Sequence, residues 1–291
     1  MNPHVDLGAA ADFIWRNARV LERQVFAALF LGGDMMRALE ALRPYQNKDG
    51  GFGNGLEPDI RGPVSQPVPT EFAFRTLDQV GAIEETMIGR ACDYLQTITT
   101  DEGGVPWVLP SVRDYPRAPW WETSDNPPAS LNPTAAVAGL LQKWKIEHPW
   151  RDPATAFCWR KIDEQAEIGG YEVRSVLTFF EYVPDRARAA SVFEEFGKRM
   201  LQLGDLSLDP DEPREVLKPL NFAPTPSSIA RSLFAEEVID AHLDALARLQ
   251  QPAGGWPITY FVWTPATELE GGSWRTIEAL CILRSYGRLG N

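Results

Sequence analysis

The sequence is poor in the residues that build disulfide frameworks and metal sites. Its 291 residues include three cysteines and three histidines. Cys92, Cys158 and Cys281 are scattered through helical contexts, and no two of them have the paired spacing of a disulfide framework or a zinc knuckle. We expect them to be reduced residues of the core.

Basic runs and long apolar runs are also missing. The formal net charge is −12. Nucleic acids and anionic membranes are also negatively charged, so unspecific binding to either would need a basic patch that offsets the repulsion. No window approaches the roughly 18 unbroken apolar residues of a membrane-spanning helix. The N-terminus lacks a basic leader followed by an apolar core and a cleavage site. We predict a cytoplasmic protein with no nucleic-acid partner and no stable membrane insertion.

What the chain does contain is a repeated turn. Three copies of this turn share one spacing, and a fourth, looser copy places Val105 nine residues after Gln96. In those three, the apolar residue after the turn follows a glutamine by six residues: Gln46 to Phe52, Gln202 to Leu208 and Gln250 to Trp256. From that apolar residue to the predicted opening of the next helix is again constant at 18 residues: Phe52 to Thr70, Leu208 to Pro226 and Trp256 to Trp274. Such periods are typical of repeat folds, whose units bury their apolar faces only against their neighbours.

Between the turns, the apolar residues recur at helical spacing. The pattern predicts an all-α protein of about twelve helices in six antiparallel hairpins, each of ~50 residues. Thr70 is expected to cap one helix, and the last helix is expected to span residues 273–288. Half of the helices, such as residues 135–144, 174–183 and 275–285, are apolar around most of their circumference, so we expect an inner ring of helices inside an outer ring. A closed array of this kind makes residues 1–291 a single domain.

These motifs resemble the repeat of the terpenoid cyclase and protein prenyltransferase superfamily. The matching stretches read YQNKDGGFG followed by PTEFAFRTL, LQQPAGGWPI followed by GGSWRTIEAL, and more weakly YLQTITTDEGGVPW followed by NPTAAVAGLL. The resemblance covers most of residues 34–288. It implies an α/α toroid whose inner helices surround a central cavity that binds isoprenoid chains or similar apolar molecules.

The catalytic motifs of that superfamily match only in part. Class II terpene cyclases use an Asp-x-Asp-Asp acid motif, and the nearest stretch here is Asp209-Pro210-Asp211-Glu212, whose last residue differs. Prenyltransferases hold zinc through an Asp-Gly-Cys at a helix start, where this chain has Glu270-Gly271-Gly272 and no thiolate. We therefore predict no metal and no cofactor, and we place Glu270 among the residues that contact substrate.

Candidate catalytic residues follow the first turn. Glu57, Asp59 and Arg61 occupy alternate positions, so an extended backbone would direct all three side chains to one side. A carboxylate pair beside an arginine can act as acid and base or bind a polar group. The structural alternative is that the carboxylates cap neighbouring helices or pair with Arg61.

Other charges lie on predicted inner helices. Glu71 and Arg75 are four residues apart on one of them, and Arg174, Arg275 and Glu278 lie on others. Buried charges are costly unless they are paired. We therefore expect these side chains either to pair with one another or to face the cavity and contact substrate.

Tryptophans are abundant in the segments that cross between helices. Residues 101–132 form the longest predicted non-helical stretch, and its aromatic content argues against disorder. It contains Trp120, Trp121 and Asp125, and Trp263 lies in the last crossing segment. We predict that the tryptophans line or cover a binding site and that Asp125 is a further candidate for catalysis. Another set of aromatic residues flanks the turns and is predicted to be structural: Phe52, Trp256 and Trp274.

Three functions remain open. The first is a terpenoid cyclase or prenyltransferase-like enzyme acting on an isoprenoid or another apolar small molecule. The second is a carbohydrate-active toroid, a glycosidase or lyase, which needs two carboxylates across an aromatic cleft. The third is a module that binds a lipid or a partner without catalysis.

Overall fold

The computed structural model describes residues 5–164 and 168–289, and within them the regular structure is helical. Isolated β-bridges occur, but the described residues form no β-strand. The all-α prediction is confirmed, as is the number of about twelve helices. The α-helices are α1 Leu7–Asn17, α2 Val20–Phe30, α3 Met35–Leu42, α4 Pro67–Val80, α5 Glu85–Thr97, α6 Leu131–Trp144, α7 Arg151–Asp163, α8 Gly170–Tyr182, α9 Arg186–Met200, α10 Pro219–Phe222, α11 Glu236–Arg248 and α12 Pro265–Ser285.

The chain divides into two compact units. One unit, the middle unit, comprises residues 34–190, and the other, the terminal unit, comprises residues 1–33 and 191–291. The single-domain arrangement of residues 1–291 stays a prediction.

In the middle unit, α6 is the most enclosed helix. Every residue from Pro133 to Leu141 is buried, as expected of a helix that is apolar around its circumference. It packs against α4, α7 and α8. Its approach to α8 is close, because a Cβ atom at Gly139 would lie 2.7 Å from the carbonyl oxygen of Thr178.

In the terminal unit, α12 packs against α1, α2 and α11. Ile277, Leu280 and Leu283 bury their side chains there. The guanidinium of Arg284 lies 4.5 Å from the ring centroid of Phe30, the last residue of α2. Helices from both ends of the sequence therefore build one core.

The repeated turn makes the same contacts in both units. The side-chain amide of Gln46 donates to the carbonyls of Gly50 and Met87, both at 2.9 Å. The amide of Gln250 donates to the carbonyl of Gly254 at 2.9 Å and to that of Asp6 at 2.7 Å. Each glutamine thus closes its own turn and ties it to the start of another helix, α5 in the first case and α1 in the second.

Glycine is required where these turns meet the helices. Gly50 and Gly254 have φ values of 95° and 96°, which only glycine adopts readily. A Cβ atom would lie 2.0 Å from the carbonyl oxygen of Arg90 in the first turn and 2.0 Å from that of Ala9 in the second. Both the backbone conformation and the contact exclude a side chain.

Threonines on the following helices accept the next backbone N–H groups. The amides of Phe52, Val105 and Trp256 donate to hydroxyl oxygens at 3.1, 3.0 and 2.9 Å. The acceptors are Thr70, Thr134 and Thr276, respectively. Each of these buried backbone amides therefore has a threonine hydroxyl as its acceptor. These threonines lie within their helices, so a search for helix caps does not identify this role.

Several sequence expectations were wrong in detail. Thr70 is not a cap, because α4 begins at Pro67 with Gln66 at its N-cap. The last helix begins at Pro265 rather than at residue 273. The residue of this helix that accepts the amide of Trp256 is Thr276, two residues beyond the predicted Trp274. Trp274 itself is only half-buried.

The third predicted copy of the turn also differs. Leu208 is 52% exposed, whereas Phe52 is 0% and Trp256 1% exposed. Its carbonyl accepts a hydrogen bond from Nε2 of His242 at 3.0 Å. The spacing alone therefore matched a stretch that does not bury its apolar residue.

Candidate functional site

The segment after the first turn does not have the predicted extended form. The amide of Ile60 donates to the carbonyl of Glu57 at 3.0 Å, which closes a tight turn. Glu57 is half-buried, Asp59 is 4% exposed and Arg61 is exposed. Because the backbone turns here, the alternate positions do not share one side.

This segment is held against the long crossing of residues 101–132, here called the insertion. The amide of Ala118 donates to the carbonyl of Asp59 at 3.0 Å, and that of Arg61 donates to the carbonyl of Pro116 at 3.1 Å. These two bonds place the segment that contains Asp59 and Arg61 beside the insertion, which carries the other candidates Trp120, Trp121 and Asp125.

Gln66 ties the insertion to α4. Its Nε2 donates to the hydroxyl of Ser111 at 2.9 Å, and its Oε1 accepts from the amide of Leu109 at 2.8 Å. Gln66 is fully buried. The insertion is therefore anchored at the N-terminal end of α4, the helix that carries Glu71 and Arg75.

Two arginines of the insertion pair with carboxylates within it. Arg113 contacts Asp125 at 2.5 Å and donates to the carbonyl of Thr123. Arg117 pairs with Glu122. The side chain of Asp125 is 85% exposed, so the structure places this candidate in a surface ion pair.

The tryptophans of the insertion differ in their surroundings. Trp120 is half-buried, whereas Trp121 is 5% exposed. The ring of Trp121 lies 4.8 Å from that of Trp107, with an angle of 46° between the planes. Trp107, which the sequence did not single out, is 36% exposed.

On α4, Glu71 and Arg75 form the pair expected from their spacing. Glu71 is 3% exposed, and its Oε1 lies 2.8 Å from Nε of Arg75. Burial raises the pKa of Glu71, while the nearby guanidiniums of Arg75 and Arg174 oppose the rise. A buried carboxyl group with a raised pKa can hold a proton that an exposed one would lose.

The N-terminal ends of α6 and α8 meet through polar side chains. Ser130 donates to Glu172 at 3.1 Å, and Ser175 donates to the side-chain oxygen of Asn132 at 3.3 Å. Arg174, next to Ser175, is the residue whose charge acts on Glu71. The sequence analysis missed Asn132 and Ser175, although a polar residue in an otherwise apolar helix was a usable signal.

The terminal unit holds a second group of buried charges. Glu22 is 2% exposed and pairs with Arg19. Arg19 also lies 3.9 Å from the predicted site residue Glu270. The sequence analysis missed Arg19 and Glu22, although oppositely charged residues three positions apart at a helix start can be recognised.

Two further predicted site residues lie on or before α12. Arg275 pairs with Glu278, one of the two alternatives drawn from the sequence. Trp263 is half-buried and precedes the helix.

The stretch nearest to a class II acid motif is poorly suited to donate a proton. The hydrogen bond from Arg214 lowers the pKa of Glu212 to about 2. Asp211 is exposed and pairs with Arg248 at 3.3 Å. Glu212 is therefore ionised at neutral pH.

The described part of the chain also has an open groove of about 690 Å³ along α7. Its lining includes Asp152, Trp159, Arg160, Asp163 and Arg188. None of the site residues predicted from the sequence lines it. Over residues 5–164 and 168–289, no three side chains of the metal-binding types cluster as a possible metal site. Nor does any described helix have the length and hydropathy to cross a membrane.

Two solved structures are similar to this chain over nearly its whole length. A protein from Actinoplanes is 17% identical, with a TM-score of 0.53, over 96% of this chain and 98% of its own. The type II terpene cyclase MstE from Scytonema is 13% identical, with a TM-score of 0.52, over 97% of this chain and 98% of its own. No protein-family model and no curated protein matches the sequence. The chain therefore has a fold like that of a terpene cyclase.

Proposed function

We propose that the protein is a terpenoid-cyclase-like enzyme that acts on an isoprenoid or another apolar small molecule. The observation that carries the proposal is the likeness to a type II terpene cyclase over 97% of the chain. The repeat motifs of the sequence support it independently. Fold alone does not define activity, so the proposal also needs residues able to do the chemistry.

Glu71 is the residue that we assign as proton donor. It combines burial with a raised pKa, which keeps a carboxyl group protonated at higher pH than usual. The proton moves from the carboxyl group to one carbon of a C=C bond, which leaves a carbocation on the other carbon and a carboxylate on Glu71. Ring closure moves the cation along the chain, and loss of a proton from carbon to solvent ends the reaction. Uptake of one proton from solvent restores the carboxyl group of Glu71.

Arg75 and Arg174 suit the second half of this cycle. In the structure an oxygen of Glu71 lies 2.8 Å from Nε of Arg75, and the positive charge of Arg174 also acts on it. Both guanidiniums stabilise the ionised form. Aromatic rings stabilise the carbocation by about 0.5–2 kcal/mol each, and Trp120 and Trp121 of the middle unit are the candidates for that role.

The test is an activity assay on purified protein with a panel of linear isoprenoids, with and without a diphosphate group. Because one proton enters and one leaves, we expect a cyclic isomer of unchanged mass, detected by chromatography and mass spectrometry. The E71Q variant should lose at least ~100-fold in rate, as expected when a general acid is removed.

The matched control is E22Q, which also replaces a buried glutamate paired with an arginine. E22Q should retain activity, provided that its circular dichroism spectrum shows that it is folded. A wild-type protein that converts no isoprenoid would overturn the proposal. Turnover of an oligosaccharide instead would favour the carbohydrate-active alternative, for which Glu57, Asp59 and Asp125 are the candidates.

A further inference from the structure

The side chain of Trp121 carries a hydrogen-bond donor that no described residue accepts. Its ring is 5% exposed, and Nε1 has no acceptor among the described residues. Buried donors in native proteins are almost always paired, because leaving one unpaired forfeits its bonds to water. Other indoles of this protein follow that rule: Nε1 of Trp150 donates to Thr99 at 2.9 Å and Nε1 of Trp256 donates to Leu246 at 2.7 Å.

The surroundings of this donor are aromatic and anchored. Trp107 lies against Trp121 and is 36% exposed, so the pair reaches from the interior to the surface. Gln66 holds the insertion to the start of α4 through Ser111 and Leu109. The insertion that carries the two rings is therefore held to the N-terminal end of α4, the helix that carries Glu71.

Two guanidinium charges of the insertion are already paired with carboxylates. Arg113 binds Asp125 and the carbonyl of Thr123, and Arg117 binds Glu122. A diphosphate is typically held by several arginines or lysines. The indole N–H offers a single uncharged donor between aromatic surfaces, which suits a neutral oxygen on an apolar molecule.

We propose that Trp121 Nε1 donates a hydrogen bond to a neutral oxygen, such as a hydroxyl or carbonyl, of an otherwise apolar ligand that contacts the ring of Trp107. This inference rests on the proposed function and narrows its substrate class to oxygenated isoprenoids without a diphosphate. Trp121 thereby determines specificity at the polar end of the ligand.

The test compares three ligands that share one hydrocarbon chain: farnesol, farnesyl diphosphate and the hydrocarbon farnesene. Binding to the full-length protein is measured by equilibrium dialysis, so that changing a tryptophan does not alter the signal. The wild type should bind farnesol about tenfold more tightly than farnesene, the ratio that one net hydrogen bond supplies. It should bind farnesyl diphosphate no more tightly than farnesol.

The W121F variant keeps an aromatic ring and removes only the N–H and part of the indole. It should lose about tenfold in affinity for farnesol and none for farnesene. Its melting temperature should fall only by what the lost buried ring volume explains, because Nε1 donates to no described residue. The matched control, W107F, should weaken both ligands equally, because it alters ring contact alone.

The outcomes separate this inference from the proposed function. A W121F variant that binds farnesol as the wild type does overturns the inference and assigns Trp121 a structural role. Tighter binding of farnesyl diphosphate than of farnesol also overturns it. The proposed function survives both results, since isoprenoids still bind. Failure of all three ligands to bind contradicts both.

Discussion

Glu71 owes its chemical character to its place on α4. At 3% exposure it has lost nearly all contact with water, and the single ion pair with Arg75 does not replace that hydration fully. The raised pKa is the result. The same effect that makes the carboxylate costly for stability makes the protonated form available for catalysis.

The ionisation of Glu71 predicts how stability depends on pH. Because its pKa is higher in the folded chain than the ordinary value of 4.5, the wild type loses stability as pH rises from that value through the folded pKa. E71Q mimics the protonated form and lacks this loss. We expect the melting temperature of E71Q minus that of the wild type to be larger at pH 8 than at pH 4. A difference that is constant across this range would contradict the assignment.

The activity of the wild type should follow the same ionisation. If Glu71 donates the proton, the rate of isomer formation falls as pH rises through its folded pKa, because the acid is converted to carboxylate. A pH–rate profile on the best isoprenoid substrate measures this. A rate that rises over the same range would indicate a base rather than an acid at this position.

The hydroxyl of Thr70 is predicted to be structural. T70V would leave the buried amide of Phe52 without its acceptor, at a cost of about 1–3 kcal/mol. The matched control is T76V on the same helix, because the hydroxyl of Thr76 is a buried donor to the carbonyl of Phe72 and accepts no backbone amide of the residues that the structure describes. Chemical denaturation should show a clearly larger loss for T70V. Equal losses for the two variants would contradict this role.

Among the structural elements, the repeated turn is the best defined. Its glutamine, its glycine of positive φ and the threonine on the following helix recur with closely similar distances in the first and last copies. The contacts are mostly to backbone atoms, so they tolerate a change from Phe52 to Trp256 at the apolar position. This tolerance explains how the copies diverge in sequence and keep their geometry.

Replacing Gly254 tests the docking of the last turn on α1. In G254A the new Cβ meets the carbonyl oxygen of Ala9 at 2.0 Å and the residue has φ of 96°, so we expect a loss of more than ~3 kcal/mol. G32A is the control for the backbone conformation alone, because Gly32 has φ of 67° and open space around it. It should cost about 1–2 kcal/mol. Denaturation curves of the two variants measure the difference, and similar losses would mean that the turn can move away from α1.

For the whole molecule, the two compact units raise the question of cooperativity. T70V lies in the middle unit and G254A in the terminal unit. If residues 1–291 form the single domain that the repeats predict, both variants lower the same thermal transition, measured by calorimetry. Two transitions, each shifted by only one of the variants, would contradict a single domain.

The fold class and the turns were predictable because they depend on residues close in sequence. Apolar residues at helical spacing define a helix, and a glutamine reaches the carbonyl of a glycine four residues away. The same local patterns gave wrong boundaries for α4 and α12. Helix α4 begins at Pro67 without a side-chain cap, and α12 begins at Pro265 after the capping residue Thr264.

The candidate site was predictable only as a set of residues. Glu71 and Arg75 were found because the spacing of a helical pair is local, and Trp121 was found by composition. Their roles depend on contacts that span long separations, such as the 45 residues between Gln66 and Ser111. The alternation of Glu57, Asp59 and Arg61 misled because a tight turn at Ile60 replaces the extended backbone.

The amino-acid pattern thus determined that the chain is helical, that it repeats, and which charges lie on apolar helices. The folded chain decided which of those charges lose water and which find partners. Burial is a property of everything that surrounds a side chain, so Glu71 with its raised pKa and Glu212 with its lowered one look alike in the sequence. The unused donor of Trp121 is likewise defined only by atoms that are absent from its surroundings among the described residues.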